Sequence, residues 1–276
     1  MRAKELKGKL AGGGAVFGAM ISATLGMRWG QVWQGSTLDY IVIDAEHGSR
    51  DRLQISNLVM LAKSVDLTPI VRVPSTDPVY VAMALDAGAE GVLVPYCETV
   101  EEVRQCAAKL RLHPLKGEYL QRAIKTGEYP SEKSREYLER RHKDHLFIMG
   151  IESVPAFNRL DALLEASGAD GVFVGPNDMT TSLGIPDEVE NPRYLDVLRE
   201  IIAKSEARGV PVMIHQQNIE ASRRAIDLGA RFVLHSSDAG VLLRGLQTEF
   251  AELRGAIAAR NGHVDAVEAK DTLDTV

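Results

Sequence analysis

The 276-residue sequence predicts an α/β protein built as a single (β/α)8 barrel, the TIM-barrel architecture. Short apolar, β-branched runs recur along the chain, and each ends in Gly, Pro or a polar residue. Each run is followed by a stretch with apolar residues at three- and four-residue spacing, so strand and helix alternate. The length also fits, because one such barrel typically fills about 250 residues.

The expected strands are 15–20, 40–44, 69–73, 91–95, 146–151, 171–174, 211–215 and 231–235. YIVID, GVLVP and GVFVG are apolar throughout, as parallel strands covered on both faces are. Eight parallel strands close most simply into a barrel, and the helical stretches 51–64, 78–87, 99–110 and 194–208 carry apolar faces to cover its outside. Gly88-Ala89, Gly168-Ala169 and Gly229-Ala230 precede strands, where glycine ends one helix and turns the chain. A charged excursion, 116–144, interrupts the rhythm between the fourth and fifth strands with an expected helix at 131–142; a lid and an oligomer contact are the two uses open to it. The barrel domain is assigned to 1–260 and a tail to 261–276, which either frays or packs on a neighbouring subunit.

Composition narrows the function. A sequence 45% hydrophobic and 25% charged suits a globular fold rather than a disordered or fibrous one. A net charge of −6 lacks the basic field that nucleic-acid binding needs. Cys97 and Cys106 suggest neither a disulfide framework nor a thiolate metal site. No leader pattern or membrane-length apolar run stands out, so an unprocessed, cytoplasmic protein is expected.

In a parallel α/β barrel the reactive groups collect at the carboxyl ends of the strands. Here those ends are polar: Asp44-Ala45-Glu46-His47-Gly48, Arg72 in VRVP, Glu152, and Gly175-Pro176-Asn177-Asp178. Glu152 and Asp178 are single carboxylates on adjacent strands, and two oxygen donors with open positions suit Mg²⁺, Mn²⁺ or a similar hard divalent ion. The bland alternative pairs Glu152 with an arginine and uses Asp178 to cap a short helix. Arg72 on a buried strand needs a partner, either Glu46 or a substrate carboxylate or enolate oxygen, and both can hold together. His47 follows Asp44 closely enough for the aspartate to fix its tautomer and free the other nitrogen for proton transfer. The 175–178 backbone offers N–H groups to an anion, Pro176 excepted. His215 with Gln216, and His235 with Ser236, Ser237 and Asp238, either line the mouth or cap the final helices; His47, His215 and His235 are a weaker zinc candidate. No lysine lies at a strand end to serve as a Schiff-base nucleophile, since Lys116 and Lys125 fall in the excursion, and no GxGxxG or P-loop occurs.

Taken in order, DYIVIDAEHG, VRVP, GAEGVLVPYCETVEEV, IES and GADGVFVGPNDMTTSLGIP resemble the HpcH/HpaI family of metal-dependent class II pyruvate aldolases, over roughly residues 15–246. The resemblance implies a (β/α)8 barrel, assembled as a homo-oligomer and usually a hexamer. It implies reversible cleavage of a 2-keto-3-deoxy sugar acid or 4-hydroxy-2-oxo acid to pyruvate and an aldehyde. Carried over by position, Glu152 and Asp178 are the metal ligands, with Mg²⁺, Mn²⁺ or Co²⁺ as the ion. Arg72 binds the keto and enolate oxygen, Asp44 and His47 form the proton-relay pair, and the backbone around Gly175, Asn177 and Asp178 cradles the pyruvate carboxylate. Two departures stand out: Gly150 replaces the glutamine usual two residues before the metal-binding glutamate, and HPLKGEYLQRAIKTGEYP replaces the usual glycine- and arginine-rich segment after the fourth helix. The alternatives are a citramalyl- or malyl-CoA-type lyase on a related barrel and a non-catalytic keto-acid-binding protein. The proton-relay residues argue against the binder.

Overall fold

The computed structural model describes residues 1–261, and the expected tail lies, Asn261 apart, outside the described residues. Eight parallel strands form a closed barrel in sequence order: β1 (Val16–Ile21), β2 (Tyr40–Asp44), β3 (Thr68–Arg72), β4 (Gly91–Val94), β5 (Leu146–Gly150), β6 (Gly171–Val174), β7 (Val212–Gln216) and β8 (Phe232–Ser237). All eight lie where the apolar runs predicted them, with ends displaced by no more than two residues.

The helices are α1 (Ala3–Ala11), α2 (Trp29–Gln34), α3 (Arg52–Ser64), α4 (Pro78–Asp86), α5 (Val100–Leu112), α6 (Gly117–Thr126), α7 (Glu132–Arg141), α8 (Val154–Asn158), α9 (Leu160–Ser167), α10 (Pro176–Ser182), α11 (Pro192–Glu206), α12 (Ile219–Asp227) and α13 (Asp238–Asn261). Capping boxes start α3 and α5: Asp51 with Gln54, and Thr99 with Glu102, satisfy each other's exposed backbone donors. Gly88, Gly168 and Gly229 all have positive φ, the left-handed conformation their helix-ending role requires. No described helix is long and apolar enough to cross a membrane.

Side-chain alternation divides the core in two. Residues facing outward from the strands, such as Ile41, Val71 and Val92, pack under the helices. Those facing inward, such as Val42, Ile70, Phe173, Met213 and Phe232, fill the barrel interior. The Tyr40 ring crosses that interior to donate to the Val233 carbonyl at 2.7 Å, and Gly18 makes room: a Cβ there would sit 2.4 Å from the ring.

α1, unforeseen as a helix, plugs the amino end of the barrel with Ala3, Leu6 and Leu10. Arg2 pairs with Glu90, and the Ala3 N–H donates to Glu90 at 3.0 Å. The charged excursion lies on this same side, since it joins the end of α5 to the start of β5 and Lys7 on α1 donates to its Lys143 carbonyl at 3.1 Å. Both ends of the excursion therefore lie away from the strand carboxyl ends. It also contains a helix, α6, that its high charge concealed.

Candidate active site

At the carboxyl end the barrel opens into a cup of about 540 Å³, lined by Asp44, His47, Arg72, Asn177, Asp178 and His215 among others. The in-register pairing of Asp44 on β2 with Arg72 on β3 sets its first contact. Arg72 Nε and Nη2 donate to the two Asp44 oxygens at 2.8 and 2.7 Å, a bidentate fork. Burial alone would raise the Asp44 pKa, but Arg72 and the Glu46 N–H at 3.0 Å outweigh it and hold the group below its ordinary value. Arg72 Nη1 also lies 3.2 Å from Glu46. Three of its five N–H groups thus face carboxylates, and two remain for a ligand.

The expected Asp44–His47 pair takes a different form. Asp44 approaches His47 only through the His47 backbone N–H at 3.5 Å, because its side chain is engaged by Arg72. The imidazole Nε2 instead lies 3.6 Å from Glu46, a residue expected in the site only as a partner for Arg72. Burial raises the Glu46 pKa, and among the described residues neither of its buried oxygens has a well-aligned hydrogen bond.

Glu152 follows β5 and is 2% exposed. Its Oε2 accepts the Tyr96 N–H at 2.9 Å. Tyr96 holds φ at +52°, an uncommon conformation for an aromatic residue, just beyond the end of β4. Burial, with Glu46 and Asp178 nearby, pushes the Glu152 pKa up to about 8 against the opposing pull of Tyr96 and Arg72. Across from it, Asp178 lies in the first turn of α10, whose cap is Gly175 rather than Asp178. First-turn N–H groups have no partner within a helix, so Asn177 and Asp178 can present theirs to an anion.

Glycine shapes the space between the carboxylates. A Cβ at Gly175 would sit 2.6 Å from Glu152 Oε1 and 3.0 Å from Asp178 Oδ2, so both carboxylates converge on its bare face. Hard oxygen donors gathered around a carboxyl that is buried with no cation bonded to it among the described residues fit a divalent metal ion. Glu152 and Asp178 are the residues that would hold it. Gly150 is equally confined: a Cβ there would meet Glu152 Oε2 at 2.5 Å and the Pro95 and Val94 backbone at 3.0 and 3.1 Å. The room that a longer side chain would need is filled by Glu152 and the end of β4.

The zinc candidate fails on strand alternation. His235 points outward to Ser222, 2.7 Å from its Nδ1, whereas His215 lines the cup. Among the described residues no group of three His, Cys, Asp or Glu side chains is arranged to hold a metal. Asp238 has a structural role that the sequence left undefined. Its carboxylate accepts N–H groups from Ser22, Ala23 and Thr24 at 2.9, 3.1 and 2.6 Å, tying the loop after β1 to the end of β8.

A profile of the HpcH/HpaI aldolase/citrate lyase family matches residues 31–244. The chain is 32% identical over 212 residues to a 5-keto-4-deoxy-D-glucarate aldolase of Salmonella arizonae, covering 76% of this chain and 81% of that one. It is 30% identical over 210 residues to a pyruvate aldolase of Rhizobium etli, covering 75% and 81%. A crystal structure of an HpcH/HpaI aldolase/citrate lyase family protein from Burkholderia cenocepacia superposes with a TM-score of 0.78 at 26% identity, over 91% of this chain and 99% of that one. With the barrel, the polar strand ends and these likenesses together, the chain belongs to the HpcH/HpaI aldolase/citrate lyase family and is an enzyme, a lyase of the aldolase type.

Proposed function

We propose that the chain is a class II pyruvate aldolase, reversibly cleaving a 4-hydroxy-2-oxo acid of the 2-keto-3-deoxy sugar acid type to pyruvate and an aldehyde. The convergence of Glu152 and Asp178 on the bare face of Gly175, beside Arg72, carries this reading. A divalent ion held by these carboxylates, Mg²⁺ or Mn²⁺ by the hardness of the donors, supplies Lewis-acid polarisation of the keto group.

The chain's own residues do the rest. The Asn177 and Asp178 N–H groups orient the substrate carboxylate. The two free N–H groups of Arg72 stabilise negative charge on the C2 oxygen as it becomes an enolate. His47, at the exposed rim, takes the C4 hydroxyl proton, directly or through water. The C4–O bond then becomes the aldehyde carbonyl, the C3–C4 bond breaks, and its electron pair forms the C2–C3 double bond. Protonation at C3 completes pyruvate. Asp44 fixes the Arg72 fork in place, and Glu46 lies beside both Arg72 and His47.

Exchange of the pyruvate C3 protons in D₂O, followed by NMR with Mg²⁺ or Mn²⁺ and again with chelator, tests this without an aldehyde. Metal-dependent exchange is expected, and none above background would remove the enolate from the reading. His47→Ala should lose most of the aldol cleavage; a silent keto-acid binder would tolerate it.

A homo-oligomer completes the proposal. Val241, Leu242, Leu246, Phe250, Leu253 and Ile257 on α13 are each 47–60% exposed, an apolar stripe suited to a second copy of the chain. Sedimentation measures this directly. The buried free thiols Cys97 and Cys106 fit the reducing cytoplasm.

A further inference from the structure

We infer that His215 is a specificity-determining residue that accepts a hydrogen bond from a hydroxyl on the aldehyde half of the substrate, so that the cup selects hydroxylated aldehydes over their deoxy counterparts. The inference rests on the aldolase reading of the cup and assigns a residue to its distal wall.

Strand alternation aims the side chain. On β7, Val212 and Ile214 pack under the helices while Met213 packs inside the barrel, so His215 is the next inward residue above Met213. It lines the cup. β3 and β7 are opposite walls of a closed eight-stranded barrel, so His215 faces the Arg72 side of the site rather than adding to it.

Hydrogen bonding fixes what the ring offers. Nε2 lies 3.3 Å from the Ser236 carbonyl, which only accepts, so Nε2 carries the proton. Nδ1 makes no hydrogen bond among the described residues. Burial first, and then the Arg72 charge, push the pKa down to about 4, so the ring is neutral near pH 7 and Nδ1 is a lone-pair acceptor. A hydroxyl can donate to it. A methyl group leaves it unpaired, and a second carboxylate sets lone pair against lone pair. The neighbouring cup lining supports a polar end group, with Ser22, Gln217 and Ser237 beside an apolar floor of Met20 and Phe173.

The test compares glyceraldehyde with propanal as aldol acceptors for pyruvate, as a ratio of kcat/KM within one protein, so overall loss of activity cancels. In His215→Leu the preference for glyceraldehyde should fall about tenfold, the usual worth of one buried hydrogen bond with its unpaired partner. A change under twofold would overturn the inference. A second readout, independent of how the variant folds, comes from the imidazole ¹⁵N spectrum of the native protein. With oxalate as an unreactive enolate mimic, glyceraldehyde should shift the His215 Nδ1 resonance and propanal should not; equal shifts, or none, would overturn the inference. Pyruvate exchange by the native protein judges the aldolase reading separately, since the oxalate experiment needs no turnover.

Discussion

Glu90 and Glu152 are buried glutamates at opposite ends of the same barrel, and their acidities move in opposite directions. Glu90, just before β4, meets the Arg2 guanidinium, the Ala3 N–H and, at 3.9 Å, Lys63. Burial alone would raise its pKa, but these partners outweigh burial and hold it below the ordinary value. Glu152, just after β5, receives the single Tyr96 N–H and faces Glu46 and Asp178, and its pKa is pushed up to about 8. A buried charge supplied with its partners by the fold is a structural joint. One left short of positive charge beside an open cup is a place where a ligand supplies the difference.

Replacing each glutamate by glutamine should separate the two ends most strongly. Glu152→Gln should cut metal-dependent pyruvate exchange on the order of 10³-fold or more, as loss of a metal ligand does. Its melting temperature should hold or rise, because an uncompensated buried carboxyl is gone. Glu90→Gln should cost about 1–3 kcal/mol of stability, because Arg2 loses its partner, with exchange per folded molecule unchanged. If thermal melts show Glu152→Gln to be the more damaging change to stability, the contrast between structural and functional burial is wrong.

The same pair predicts opposite pH dependence in chelator-treated protein. Glu152 has a folded pKa of about 8 against an ordinary 4.5, so across that window the native state holds a proton that the unfolded chain releases. Its contribution to stability must therefore fall as pH rises from about 5 to 8, by an amount on the order of 2–4 kcal/mol, while His142 and His215, whose pKa values burial pushes down to about 4, contribute stability that rises between about pH 4 and 6.5. Glu90 has a depressed folded pKa, so its contribution is present above 4.5 and lost as pH falls through the folded value. In melts at pH 5, 6, 7 and 8 the stability difference between native protein and Glu152→Gln, in which the histidine contributions cancel, should shift steadily against the native protein as pH rises, and added divalent ion should remove that shift.

What the sequence showed of all this follows from the range of each signal. The strands were legible because continuous apolar runs such as YIVID state their burial locally, and the polar strand ends were legible because a parallel barrel gathers them at one mouth. The partner of Asp44 was not, because it depends on the register that aligns Asp44 with Arg72, 28 positions away. Tyr96 was hidden for a different reason: its contribution to Glu152 is a backbone N–H, which every residue but proline carries. α1 reads as a short charged segment, and only the barrel interior shows why Leu6 and Leu10 are apolar.

Glycine gives the finest comparison between the two ends. Gly8 lies within α1 at the plugged end, and a Cβ there would meet nothing within 4 Å. Gly8→Ala should therefore stabilise the protein by about 0.4–1 kcal/mol through the unfolded chain, with exchange unchanged. Gly150→Ala adds the same methyl group at the mouth, where the contacts are 2.5 Å to Glu152 and 3.0 Å to the Pro95 backbone. The strand backbone cannot retreat as a flexible side chain can, so Glu152 must move away from Gly175 or β4 must shift. The expected cost is about 1–3 kcal/mol of stability together with roughly tenfold weaker Mn²⁺ affinity, measured by calorimetric titration. An alanine tolerated there with metal affinity unchanged would mean that Gly150 is a dispensable gap, and that the position of Glu152 is set from β5 alone.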